Sequence, residues 1–201
     1  CQEESVLQYL TGYQYSEYLE CVMELLLNYC SKTPDTLVSG YKWLKNYYGV
    51  DIYSYQYGYY SLKKVSEYLY HKVLEGNSIA RIIGFQWSKY SLDFRFQATE
   101  MSRNNQFIFY NIESKYSKEI MEYRSICWEI LIALSSEQFW NDNLLSFLNS
   151  YAINLRGEVD DDIVSSEVKF VEELLSALDC NRISYLNIIQ NFILNYERMK
   201  I

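Results

Sequence analysis

The period at which apolar residues recur changes along this chain, and that change restricts the fold more than any other feature. Residues 19–30 carry apolar side chains at helical spacing, and similar stripes recur in 62–73 and 164–178. Between them, residues 79–112 alternate apolar and polar side chains, a period of two that is typical of half-buried strands. The pattern therefore predicts helices, then strands, then helices.

The alternating part divides into three runs, 79–87, 91–99 and 106–114, which short polar segments join. Runs this close together predict a three-stranded antiparallel meander. The predicted fold class is α+β: a mostly helical chain with a central three-stranded antiparallel meander, flanked by N-terminal and C-terminal helices. A polar, acidic linker candidate near residue 154 divides the chain into an α+β core domain, 1–153, and a C-terminal helical hairpin, 154–201, packed on the same domain.

Helix boundaries are marked in several places. Thr33-Pro34 predicts a helix start, because proline is favoured at the first helical position. Ser61 predicts the N-cap of the next helix, and Gly76 its end. The tyrosine-rich segment 50–60 between them reads as a loop or an irregular ribbon, and no firm state is assigned to it.

Composition narrows the class of protein. Hydrophobic residues make up 49% of the chain and aromatic residues 17%, which is ample for a packed core and argues against disorder. Five widely spaced cysteines without a C-x-x-C pair, and the single histidine His71, argue against a zinc site and favour reduced thiols. No apolar run approaches the roughly 18 residues that a membrane span needs. We therefore expect a cytoplasmic protein with no membrane contact.

Charge is distributed unevenly over the chain. The net charge is −8, yet residues 41–124 carry twelve basic and eight acidic side chains. Nucleic-acid affinity depends on neutralising phosphates, so binding there is conceivable only through this central part. An acidic protein with a mildly basic middle also fits a subunit that docks into a larger assembly.

The stretch FIFYNIESK, residues 107–115, ends in a Glu-x-Lys pattern. Residues at i and i+2 of a strand share a face, so Glu113 and Lys115 are expected to point together, and Asp93 lies on the polar side of the predicted second strand. Two readings are open. The three side chains form half of a metal site, or Glu113 and Lys115 are solvated residues at a strand end and Asp93 pairs with a neighbouring base. Exposed pairs of that kind are common and worth only about 0–1 kcal/mol.

The first reading rests on a resemblance. A helix, a three-stranded meander and a second helix, with Asp93 in the second strand and Glu113-x-Lys115 ending the third, resemble the core of the PD-(D/E)xK nuclease superfamily over residues 61–134. The resemblance implies catalytic roles for Asp93, Glu113 and Lys115, with Asp93 and Glu113 as ligands of Mg²⁺ and the lysine orienting the attacking water. Outside this alternative, no cofactor is expected.

The tyrosine-rich segment and the two lysines after it form a candidate binding site. Its members could stack on bases, with the lysines on phosphates, or anchor a protein interface, or pack as an aromatic loop on the sheet. The candidate binding residues are Tyr53, Tyr55, Tyr57, Tyr59, Tyr60, Lys63 and Lys64.

The C-terminal hairpin offers a second contact surface. Val164, Val168, Val171, Leu175 and Leu178 repeat near 3.5 residues, and this seam either docks on a partner or completes the core of the chain. The function expected from the sequence is an accessory or regulatory protein that binds a protein or nucleoprotein partner. A Mg²⁺-dependent nuclease of the PD-(D/E)xK type, or an inactive descendant of one, is the alternative.

Overall fold

The computed structural model describes the backbone of residues 18–48, 55–104, 122–154, 161–178, 183 and 185–191. Side chains are described over 18–48, 62–92, 122–152, 168–178, 183 and 185–191. The helices are α1 (Leu19–Cys30), α2 (Pro34–Tyr48), α3 (Tyr55–Leu74), α4 (Ser78–Asn104), α5 (122–135), α6 (Gln138–Asn154), α7 (Asp161–Ala177) and α8 (185–191).

The start of α2 follows from its first residues. The backbone N–H of Thr36 donates to Thr33 Oγ1 at 3.2 Å, and the backbone N–H of Thr33 donates to Thr36 Oγ1 at 2.9 Å. This reciprocal cap satisfies two backbone donors that would otherwise lack a partner, and Pro34 takes the first helical position. The predicted start at Thr33-Pro34 is confirmed.

The turn between α3 and α4 is also encoded locally. Gly76 has a φ of +82°, in the left-handed region that glycine adopts without steric cost. The N–H of Asn77 donates to the carbonyl of Lys72 at 3.0 Å and that of Gly76 to Val73 at 3.0 Å, the pattern of a Schellman motif. Asn77 Oδ1 then accepts from the N–H of Ala80 at 2.9 Å and caps α4.

The predicted α+β fold with a central meander is wrong. The first two predicted strands, 79–87 and 91–99, lie within the single helix α4, Ser78–Asn104. The third, 106–114, lies outside the described residues. Across the parts of the chain that the structure describes, all regular secondary structure is helical. The predicted loop or ribbon is wrong for 55–60, because α3 begins at Tyr55 and not after a cap at Ser61, whereas 50–54 lie outside the described residues.

The error in α4 has a physical cause. The buried stripe of this helix has helical spacing, but half of it is made of small residues that a hydrophobicity pattern does not register: Ala80, Gly84, Ser88 and Ser91. The large residues Ile79 and Phe85, which suggested alternation, belong to opposite flanks of the helix. Phe85 is buried by the ring of Trp140, 5.1 Å away between centroids, and not by a sheet. Tertiary contacts therefore overrode the local pattern.

Successive helices pair as antiparallel hairpins. In the α1–α2 pair, Gly40 lies directly against the Cys30 sulfur. In the α3–α4 pair, Trp87 Nε1 donates to Ser66 Oγ at 2.9 Å. The next helix, α5, runs antiparallel to α4: Arg124 near its start reaches the carbonyl of Leu92 at 3.2 Å, and Ile130 further along lies against the earlier residue Gly84.

Alternate helices run parallel and form two layers. Lys63 and Ser66 of α3 contact Glu122 and Cys127 of α5, in the same order along both helices. In the other layer α4 contacts both α2 and α6. Stacked helical hairpins with like helices side by side are the plan on which α-solenoid proteins are built. Here α4 lies between α2 and α6, and α3 lies between α1 and α5.

The interior between the layers is aromatic and aliphatic. Its largest fully buried side chains include Trp87, Trp128 and Tyr151, and the rings of Trp128 and Tyr151 meet edge to face at 5.3 Å. The C-terminal seam joins the same cluster, with Val171, Leu175 and Leu178 at most 5% exposed. Val168 is half-buried, and the side chain of Val164 lies outside the described residues. The division at residue 153 stays a prediction.

Among the described helices, none combines the length and the apolar composition that crossing a membrane requires.

Candidate functional site

The side chains of the predicted metal site all lie outside the described residues, so their convergence stays a prediction. Asp93 lies in helix α4 and not on a strand, and its side chain is outside the described residues. Glu113 and Lys115 also lie outside them. The helix across 78–104 overturns the nuclease-like fold, because the strand that was to carry Asp93 does not form. Among the described residues, no three histidine, cysteine or acidic side chains cluster as metal ligands would.

The predicted tyrosine–lysine site is described only in part. Tyr53 and the side chains of Tyr55, Tyr57, Tyr59 and Tyr60 lie outside the described residues, although α3 includes the backbone of the last four. Lys63 is described, and its Nζ lies 2.6 Å from Glu122 Oε2 and 3.9 Å from Glu67 Oε1. Lys63 thus links α3 to α5. Lys64 is half-buried on the same helix.

A buried polar cluster between α3, α4 and α5 contains a candidate nucleophile, Cys127. Ser66 Oγ lies 3.7 Å from Cys127 Sγ and accepts the indole N–H of Trp87. Burial raises the pKa of the Cys127 thiol to about 11, although the Ser66 hydrogen bond and the charge of Arg124 act in the opposite direction. A fully buried thiol that stays protonated at neutral pH is a poor nucleophile, so this cluster packs and does not react.

Arg124 fixes the position of α5 within the core. It is 2% exposed, and its guanidinium donates to the carbonyls of Ser91 at 3.4 Å and Leu92 at 3.2 Å. Its other terminal nitrogen donates to the hydroxyl of Tyr151 at 3.0 Å. One side chain therefore ties α5 to α4 and α6. A buried arginine that makes three hydrogen bonds to the chain's own oxygens has a structural role.

The outer face of α2, α4 and α6 has a different character, and we call it the even-helix face. On one flank of α4, the Tyr41 hydroxyl donates to the Gln86 carbonyl at 3.0 Å and Lys45 Nζ lies 5.4 Å from the Tyr90 ring centroid. On the other flank, Lys89 Nζ lies 5.2 Å from the Phe85 centroid and 6.0 Å from that of Phe147 in α6. The outward side of α4 therefore lies between α2 and α6 and contacts both.

Large apolar side chains stand exposed on each of these three helices. Val38 of α2 is 68% exposed, Ile82 of α4 36% and Phe139 of α6 74%. The rings of Phe139 and the buried Trp140 meet edge to face at 5.0 Å, which anchors the exposed ring to the core. Arg81 pairs with Glu137, so the first turns of α4 and α6 lie together. The three apolar side chains therefore mark the same end of the even-helix face.

The two layers differ modestly in charge. The described side chains of α1, α3 and α5 include five glutamates (Glu20, Glu24, Glu67, Glu122, Glu129) against four bases (Lys63, Lys64, Lys72, Arg124). Those of α2, α4 and α6 include four bases (Lys42, Lys45, Arg81, Lys89) against the two acids Asp35 and Asp142. Arg81 is paired, but within the described chain Lys45 and Lys89 have no carboxylate partner.

Sequence reasoning missed this face because its contacts are long-range. Tyr41 and Gln86 are 45 residues apart, and nothing in their local sequence indicates that they meet. One signal was present: read with a helical period, Ile82, Gln86 and Lys89 fall on one side of 78–104. The alternating interpretation placed Ile82 and Gln86 in the first predicted strand and Lys89 in the joint after it, so it separated Lys89 from the other two.

Comparison of the chain with protein-family models, with curated proteins and with solved structures found no match. Its function is therefore inferred from its own residues. Of the sites described, the clusters around Cys127 and Arg124 are buried and lined by the chain's own groups. The even-helix face presents exposed apolar and basic groups that contacts within the described chain do not use up.

Proposed function

We propose that this protein is an accessory or regulatory subunit that acts by binding a protein partner, and that the partner docks on the even-helix face. The observation that carries the proposal is the row of Val38, Ile82 and Phe139, exposed on three adjacent parallel helices. Exposed apolar groups that gather on one face, beside polar and charged groups, are typical of interaction surfaces.

The stacked-hairpin architecture supports the same function. Parallel helices of one layer leave shallow channels between them, and extended layers of this kind serve as binding surfaces in helical repeat proteins. The rings that support the face are held in place: Tyr41 by its hydrogen bond to α4, and Phe139 by Trp140. Because such a surface is ordered before the partner arrives, less entropy is lost on binding.

The compartment that fits this proposal is the cytoplasm. The chain has five cysteines, and the three in the described residues, Cys21, Cys30 and Cys127, are free thiols. Free thiols persist where glutathione and thioredoxin keep them reduced. A binding subunit of this kind is expected to meet its partner there.

The test begins with site-specific photocrosslinking. A benzoylphenylalanine is placed at Val38, in the even-helix face, or at Leu25, which is 42% exposed on α1 in the other layer. We expect a crosslink to a discrete partner from position 38 and none from position 25. The crosslinked protein is identified by mass spectrometry and then purified.

The second step measures the affinity of that purified partner by calorimetry. Aromatic anchors are prominent among the interface residues whose truncation costs more than 1 kcal/mol, so we expect Phe139→Ala to weaken binding about tenfold. Leu25→Ala is the matched control and should change affinity less than twofold. Unchanged affinity in Phe139→Ala and Ile82→Ala, with both variants folded, would rule out the even-helix face as the docking site.

A further inference from the structure

Resting on the proposed function, we infer the chemistry of the segment that docks: an acidic peptide with apolar side chains, which presents its apolar and acidic residues in a fixed order. The inference depends on how apolar and basic groups are arranged along the even-helix face, not on their presence alone.

The face has an apolar end and a basic end. Val38 precedes Lys45 by seven residues on α2, and Ile82 precedes Lys89 by seven residues on α4. The two helices run parallel, because Tyr41 meets Gln86 and Lys45 meets Tyr90 in the same order. Seven residues of helix span about 10 Å, so both lysines lie about 10 Å beyond the apolar side chains, toward the C-terminal ends of the helices.

Both lysines are positioned to receive carboxylates. Lys45 lies over Tyr90, and Lys89 lies beside Phe85 and Phe147, so aromatic rings restrict each ammonium group before a ligand arrives. Neither has a carboxylate partner in the described residues, whereas Lys63 and Lys72 in the opposite layer are each paired with a glutamate. An acidic partner would supply the carboxylates that Lys45 and Lys89 do not find in the described residues.

Charge also determines the direction of the docked segment. Asp35 lies one turn before Val38 in the first turn of α2, at the apolar end of the face. Acidic residues of the ligand are therefore disfavoured at that end and favoured at the lysine end. A helical segment would carry an apolar residue and an acid about seven residues apart, and an extended one about three residues apart, since a strand rises about 3.3 Å per residue.

A nucleic acid is the less favoured ligand of the same lysines. Its affinity rises with the number of phosphates neutralised, and the described face offers few unpaired cations on a chain of net charge −8. Single strands also need aromatic platforms on which bases stack, whereas two of the three exposed apolar residues, Val38 and Ile82, are aliphatic. Aliphatic groups beside ring-held lysines suit a peptide.

The inference is tested with a random 15-residue peptide library displayed on phage and selected on the full-length chain. Selected peptides are synthesised, and their affinities are measured for wild type, Lys45→Gln/Lys89→Gln, Phe139→Ala and Lys169→Gln. Lys169 is 76% exposed on α7 next to Glu173 and serves as the charge-matched control. Single-stranded (dT)20 and (U)20 are measured in parallel, and thermal melting verifies that each variant is folded.

We expect acidic, apolar-containing peptides whose affinity falls at least tenfold in Lys45→Gln/Lys89→Gln and in Phe139→Ala, and less than twofold in Lys169→Gln. Raising the salt concentration should weaken the binding of these peptides, since exposed charges are screened.

Neutral or basic peptides whose binding depends on Phe139 but not on the lysines would overturn the acidic partner and leave the proposed function intact. Peptides whose affinity is the same for wild type and Phe139→Ala would overturn both the acidic-peptide inference and the proposed docking face. Tighter, lysine-dependent binding of (dT)20 or (U)20 than of any peptide would overturn the inference in favour of nucleic acid.

Discussion

At the residue scale, burial decides the ionisation of two cysteines. Cys30 is 2% exposed between α1 and α2, and Cys127 is fully buried between α3, α4 and α5. Removal from water disfavours the thiolate and raises the pKa of each thiol from 9.0 to about 11. The sequence shows that these cysteines lie in helical patterns, but which of them are buried depends on how the helices pack.

This shift predicts a loss of stability at alkaline pH. The folded state binds the thiol protons more tightly than the unfolded state, so the stabilisation is complete below about pH 9 and is lost as the pH rises toward about 11. In that window each thiol contributes up to about 1.4 kcal/mol per pH unit to the fall in unfolding free energy. Urea unfolding between pH 8 and 10.5 measures this fall.

The variant Cys127→Ala distinguishes the contribution of this thiol to the pH dependence of stability from that of other groups that titrate in the same range. It is less stable at neutral pH, because a buried side chain has been truncated, but its unfolding free energy should depend less steeply on pH above 9. Cys30→Ala should behave likewise. Identical pH slopes in wild type and both variants would contradict the predicted thiol burial.

At the element scale, glycine and small residues set how closely helices approach. A Cβ at Gly40 would overlap the Cys30 sulfur and lie 3.3 Å from Leu26 Cδ1, so any larger residue there requires these buried side chains to move. In α4, a Cβ at Gly84 would lie 3.3 Å from methyl carbons of both Ile130 and Val73. That contact is tight, but a small adjustment of the neighbours relieves it.

The two glycines therefore predict different outcomes for the same substitution. Gly40→Ala should lower the free energy of unfolding by about 1–3 kcal/mol, because overpacking outweighs the roughly 1 kcal/mol that alanine gains in a helix. Gly84→Ala should change the free energy of unfolding by less than about 1 kcal/mol, since the gain in helix propensity and the cost of the tight contacts are of similar size. Denaturant melts of the two variants measure the difference.

A double mutant locates the cause of the Gly40 effect. Replacing Cys30 by alanine removes the sulfur that the new Cβ meets, so Gly40→Ala should cost less in a Cys30→Ala background than in wild type. Strict additivity of the two substitutions would show that the overlap with the sulfur is not what destabilises Gly40→Ala.

At the scale of the whole molecule, stability should be greatest in the middle of the stack. Helix α3 is covered by α1, α4 and α5, and α4 is covered by α2, α3 and α6. Stacked helical hairpins gain much of their stability from neighbouring pairs, so a hairpin with neighbours on both sides opens least often.

Amide hydrogen exchange followed by mass spectrometry measures this directly. We expect the slowest exchange in peptides from 62–74 and 80–92, and faster exchange in α1–α2 at one end of the stack. Trp87→Phe, which removes the hydrogen bond to Ser66, should speed exchange in both halves of the α3–α4 hairpin. Equal protection in all described helices would show that the hairpins unfold as one unit and not from the ends.

The sequence by itself determined the features that depend on a few neighbouring residues. The cap at Thr33 and Thr36 and the helix end at Gly76 are local, because hydrogen bonds and φ preferences within one turn decide them. The apolar stripe of α1 is of this kind too: the stripe residues Leu19, Val22, Met23, Leu26, Leu27 and Cys30 are all buried.

Only the tertiary structure decided the state of 78–104 and the location of the candidate site. The stripe Ala80, Gly84, Ser88 and Ser91 shows no hydrophobic signal, because small residues become interior ones only when a second helix approaches them closely. The even-helix face has the same origin: α2, α4 and α6 are distant in sequence, and stacking of their hairpins brings Val38, Ile82 and Phe139 to one surface. Local patterns report a residue's own preference, whereas this surface depends on which helices become neighbours.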